Sequence, residues 1–78
     1  MMHKLLDTVA LTNDHLEAGL RQGDVGAVVE VLSHDAYEVE FVAASGRTQA
    51  LVTLAASEVR ALGDRDIISV RTLAESDA

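Results

Sequence analysis

Three glutamates have the spacing that most directly implies chemistry. Glu38 and Glu40 alternate with Tyr37, Val39 and Phe41 in Ala36-Tyr37-Glu38-Val39-Glu40-Phe41-Val42. Successive side chains of a strand point to opposite faces, so both glutamates share one face and the apolar residues share the other. Glu30 lies in the preceding segment, Val25-Gly26-Ala27-Val28-Val29-Glu30-Val31-Leu32. A three-residue hairpin loop at Ser33-His34-Asp35 sets Leu32 opposite Ala36, Val31 opposite Tyr37, Val29 opposite Val39 and Ala27 opposite Phe41. The same register puts Glu30 opposite Glu38 and Val28 opposite Glu40. Directly opposed like charges destabilise a strand pair, so stability alone would not select this stripe. Either Arg47, Arg60, a lysine or solvent neutralises it, or Glu30, Glu38 and Glu40 form a docking face for a basic protein partner.

Other chemistries find less to work with. His3, His15 and His34 lack the i, i+4 spacing of a helix-borne metal site. The last two read as exposed turn residues beside Asp14 and Asp35, and His3 reads as tail. No metal or cofactor is expected. Cysteine is absent, and Ser33, Ser45, Ser57, Ser69 and Ser76 show no strand–turn–helix elbow. Ser57 reads instead as a helix N-cap. Carboxylates on a flat exposed face rarely acquire the perturbed pKa that acid–base catalysis requires, so the expectation is a protein that is not an enzyme. Gly23-Asp24-Val25-Gly26 reads as a tight turn into a bulged or closely approached strand, with no helix after it to cradle a phosphate. The alternative to the acidic face is a nucleic-acid contact through the loop residues Arg21, Asp24 and Gly26.

Composition weighs against that alternative. The 78 residues carry 6 basic and 13 acidic side chains, a net charge of −7, which repels a polyanion. Only one Tyr and one Phe are present, both on the expected core face, so no aromatic platform for bases is left. No apolar run approaches the roughly 20 residues needed to cross a bilayer. The start, Met1-Met2-His3-Lys4-Leu5-Leu6-Asp7, lacks the apolar stretch of a secretory signal. The absence of cysteine fits a reducing compartment. A soluble cytoplasmic protein without membrane association is expected.

The elements that must position the glutamates are set by the punctuation of the chain. Strands are predicted at 8–12, 25–32, 36–42, 48–54 and 59–62, with a helical turn near 15–20 and a short helix start at 55–58. Strand four is ambiguous: Ala50, Val52 and Leu54 share one face, yet Leu51 on the other marks burial or an interface. The expected core is Val9, Leu11, Leu20, Val25, Val29, Val31, Tyr37, Val39, Phe41, Val52, Leu54 and Val59. Residues 67–73 (Ile67-Ile68-Ser69-Val70-Arg71-Thr72-Leu73) would cap the sheet, add a further strand, or pair with a second copy as a homo-oligomer. The last residues, 74–78, read as a frayed tail. One all-β domain spans 1–78, with a barrel over about 7–62 and an extension over 63–78.

The runs Leu5-Leu6-Asp7-Thr8-Val9-Ala10-Leu11, Gly19-Leu20-Arg21-Gln22-Gly23-Asp24-Val25-Gly26-Ala27-Val28-Val29-Glu30-Val31, Tyr37-Glu38-Val39-Glu40-Phe41 and Leu51-Val52-Thr53-Leu54 resemble a family of small bacterial proteins of unknown function. That family is similar in layout to SH3-like barrels, including the barrel of the nitrile hydratase β subunit. The resemblance covers about residues 4–62. It implies a five-stranded SH3-like barrel and, by shape alone, an accessory subunit of an enzyme complex as a further alternative. Family prolines in the first loop and after strand four are replaced here by Leu16 or Glu17 and by Ala55.

Overall fold

The computed structural model describes residues 3–74, which form an all-β fold. Five antiparallel strands, β1 (Thr8–Leu11), β2 (Val25–Ser33), β3 (Ala36–Val42), β4 (Thr48–Ala55) and β5 (Val59–Ala61), are ordered β4-β3-β2-β1-β5. Short 3₁₀ turns at Leu16–Ala18 and Ala56–Glu58 supply the only helical character among the described residues. Gly46 takes φ +91° in the β3–β4 loop, a conformation that L side chains resist. Ser57 lies inside the second turn and does not cap it; the Glu58 carboxylate does so by accepting the Ala55 N–H at 2.8 Å.

One expectation about architecture is corrected, and one of the alternatives for the C-terminal segment is excluded. The sheet is open: β4 and β5 are its edges and do not pair, so the barrel is not closed. Of the alternatives for 67–73, the further strand does not form. After a turn at 63–66, those residues run as an irregular strap held by side chains. The expected tail at 74–78 lies outside the described residues except for Ala74.

β2 is the strand that departs most from the expected register. Glu30 does pair with Glu38, and Val31 with Tyr37, but Val28 rather than Val29 faces Val39, Ala27 faces Glu40, and Ser33 rather than Leu32 faces Ala36. Two irregularities, between Val28 and Glu30 and between Val31 and Ser33, account for the difference. Each extra residue flips the facing of the residues after it and increases local twist, letting β2 bend between its neighbours. Val28 is therefore fully buried, Val25 and Val29 are half-buried, and Val31 is 43 % exposed.

The core forms from Val9, Leu11, Leu20, Val28, Tyr37, Val39, Phe41, Leu54 and Val59, with Val52 packed against it. Tyr37 is fully buried, and its hydroxyl donates to the His34 carbonyl at 3.2 Å. His3, expected to be tail, is only 5 % exposed and stands edge-on to the Tyr37 ring at 5.2 Å. β1 is buried along Val9, Ala10 and Leu11, consistent with a strand covered on both faces.

Gly26 is where β2 presses closest on β3. A Cβ there would lie 2.8 Å from Phe41 Cε2 and Val39 Cγ1 and 2.9 Å from the Glu40 carbonyl oxygen. The last contact is backbone and cannot swing away. Gly26→Ala is therefore expected to destabilise the fold by about 1–3 kcal/mol, read as a lower urea midpoint with an unchanged slope. An unaltered midpoint would mean that β2 and β3 are not in this close approach.

Candidate functional site

The acidic stripe exists on the outer face of the sheet. Glu30 and Glu38 are direct cross-strand partners, and Glu40 lies two residues further along β3 opposite Ala27 and, on the other side, Leu51. The expectation that Val28 faces Glu40 is corrected by the bulge at Val29. Among the described residues, no lysine or arginine makes an ion pair with any of the three. Arg60 pairs with Asp66 and Arg71 with Asp24 instead.

Threonines on β4 hold the two β3 carboxylates. Thr53 Oγ1 donates to Glu38 Oε1 at 2.8 Å, and Thr48 Oγ1 donates to Glu40 Oε2 at 2.6 Å. These bonds orient both carboxylates toward the β4 edge and leave their charge intact. Leu51 stands between the threonines at 55 % exposure, and Val42 beside Thr48 at 51 %. The arrangement is a row of charge with aliphatic side chains beside it. Among the described residues, no element covers the carboxylates.

Thr48, Thr53 and Leu51 escaped assignment from sequence because strand four carries apolar residues on both faces. Counting outward from the β3–β4 loop, with Val42 opposite Thr48, places Val52 opposite Glu38; the irregularity between Phe41 and Val42 shifts the pairing by one and brings Thr53 there instead.

The loop alternative looks different. Asp24 accepts the Arg21 N–H at 2.9 Å, and the Arg71 guanidinium grips the same carboxylate with two bonds of 2.9 and 2.7 Å. Arg71 also donates to the Gly19 carbonyl at 2.9 Å. Gly26 is buried beneath β3 side chains, and only Arg21 is exposed. The three residues thus do not converge on a common surface. Between strap and loop lies an apolar cleft of about 440 Å³, lined by Leu20, Val25, Phe41, Ile68, Val70 and Leu73.

The histidines are also separated. His15 is partly buried, 3.5 Å from a Glu58 carboxylate oxygen and 3.7 Å from one of Glu17, and is not the exposed turn residue expected. His34 is exposed in its turn. No cluster of three or more metal-ligating side chains occurs among the described residues, and no described helix is long and apolar enough to cross a membrane.

Two aspartates latch the strap. Burial opposes ionisation of Asp24, but hydrogen bonds from Arg71 and Arg21 outweigh it and hold its carboxyl below the usual range. Hydrogen bonds from Arg60 and the Gly63 N–H draw Asp66 down to about 2. Depressed carboxylate pKa values stabilise the folded form above the unperturbed value of about 4 and lose that contribution as pH falls through the folded value. The strap is expected to loosen as pH drops from about 4 toward about 2, followed by amide NMR shifts over residues 63–73. Arg71→Ala is expected to loosen it at neutral pH, seen as faster tryptic cleavage after Arg65. Unchanged cleavage would show that the Asp24–Arg71 pair does not hold the strap.

Residues 5–61 match the family described as a domain of unknown function, DUF4926. No curated protein and no solved structure matches the chain.

Proposed function

The chain belongs to the DUF4926 family, a domain of unknown function, and on that premise we propose that it is a non-catalytic protein-interaction module. It docks a basic partner protein on the outer sheet face through Glu30, Glu38 and Glu40. The observation that carries this reading is the Glu30–Glu38 pair, two like charges set opposite one another with no cation among the described residues paired to either. A paired cation would have made the stripe a stabilising network; without one, attraction to a partner is the gain that offsets the repulsion. The exposed Leu51 and Val42 supply apolar contact beside the charge.

Two further features belong to the same proposal. The strand meander, with β2 long enough to serve both β1 and β3, underlies the SH3-like reading of the open sheet. Ile67 and Val70, 90 % and 94 % exposed, favour self-association through the strap as a second reading.

Charge reversal tests the main reading. Glu38→Lys with Glu40→Lys should keep the circular dichroism spectrum and abolish salt-sensitive capture of basic partners from host extract. Glu30→Thr should raise stability by about 0.2–1 kcal/mol while weakening the same capture. Retention of the same partner by the doubly reversed protein would refute the acidic docking face.

A further inference from the structure

β4 is an unusual edge strand. Edge strands commonly carry a charge, a proline, a bulge or a covering element that prevents another chain from pairing with them. The sequence of β4, Thr48-Gln49-Ala50-Leu51-Val52-Thr53-Leu54-Ala55, has no charge, no proline and no glycine. β5, the opposite edge, is three residues long and carries Arg60. The single β4 irregularity lies at its start, near Gln49, whose side chain donates to the Ala18 carbonyl. From Ala50 to Leu54 the backbone makes no hydrogen bond to any described element other than β3. Among the described residues, a straight five-residue window of donors and acceptors is left unpaired on its outer side.

The side chains along that window define what fits. The outer row of β4 reads Thr53, Leu51, Thr48, and the glutamates hydrogen-bonded to the two threonines bring carboxylate oxygens above β4 itself. A strand added to the edge would lie about 4.8 Å away. Its outward side chains opposite Thr53 and Thr48 would face those oxygens, and the one between would face Leu51. We infer that β4 accepts an extended peptide segment as a sixth strand, with Lys or Arg at two outward positions four residues apart and an aliphatic residue midway. The backbone bonds supply strand addition, and the charges select a basic segment over a second copy of this acidic chain. This inference rests on the acidic face as the docking surface and adds the binding mode and the pattern of the partner.

The test uses the full chain and three synthetic nonapeptides. One has lysines at positions 3 and 7 with leucine at 5; one is the same peptide N-methylated at alternate residues; one has its lysines and leucine scrambled. The first should bind at low ionic strength, weaken with salt, and shift or protect the amides of residues 50–54. N-methylation should weaken it at least about tenfold by removing backbone donors, and Glu38→Gln with Glu40→Gln should weaken it by a similar factor. Equal binding of the N-methylated or the scrambled peptide would overturn strand addition while leaving the acidic face as a docking surface. Binding indifferent to the glutamine substitutions would overturn the choice of a basic segment. No binding by any peptide, alongside charge-dependent capture of a basic protein, would confine the failure to the strand-addition mode. A dimer in sedimentation that grows with added salt and excludes the peptide would assign the edge to a second copy and overturn the proposal.

Discussion

The close approach of β2 to β3 at Gly26 is the constraint on which the remaining packing depends. β2 pairs with β1 along its first part and with β3 along most of its length. To serve both, it must bend, and the bend brings its backbone against Phe41, Val39 and the Glu40 carbonyl, where only a hydrogen atom fits. The bulge after Val28 lies in the same strand. It rotates Val28 into the core opposite Val39 and returns Glu30 to the outer face opposite Glu38. One backbone adjustment thus sets the apolar core and the acidic stripe together.

That stripe is tolerated because the neighbouring strand supplies uncharged donors. Thr53 and Thr48 satisfy a carboxylate oxygen each on Glu38 and Glu40 without cancelling the charge. Salt bridges would have been the ordinary solution on an exposed sheet, and the basic residues for them exist in the chain. Arg60 and Arg71 are committed elsewhere, to Asp66 and Asp24, where they fasten the strap. Positive charge is used to hold the C-terminal segment against the sheet, and Glu30, Glu38 and Glu40 are left without a paired cation among the described residues.

The strap runs beside β1 and lines an open cleft together with Val25, Arg60 and the buried Ala10. It is held there without forming a strand, through guanidinium–carboxylate bonds 47 residues apart in sequence.

What the amino-acid sequence determined by itself was local. The alternation over 36–42 has a single phase, so the facing of Tyr37, Val39, Phe41, Glu38 and Glu40 could be read from it, and turn residues marked the five strands to within a residue or two. The Glu30–Glu38 pairing was reached from the sequence too, because the three-residue loop assumed at Ser33–Asp35 absorbs the one-residue irregularity that actually lies between Val31 and Ser33. Tertiary structure decided the rest. Val28-Val29 and Val31-Leu32 are apolar in both phases, so no periodicity could say which of each pair turns inward; contact with β3 chose. Whether the sheet closes depends on how its two edges, β4 and β5, are placed by the twist of the whole sheet, which composition does not encode. The burial of His3 against Tyr37, the Arg71–Asp24 latch and the threonine bonds to the glutamates each join residues distant in sequence, and local pattern carries no information about such partners.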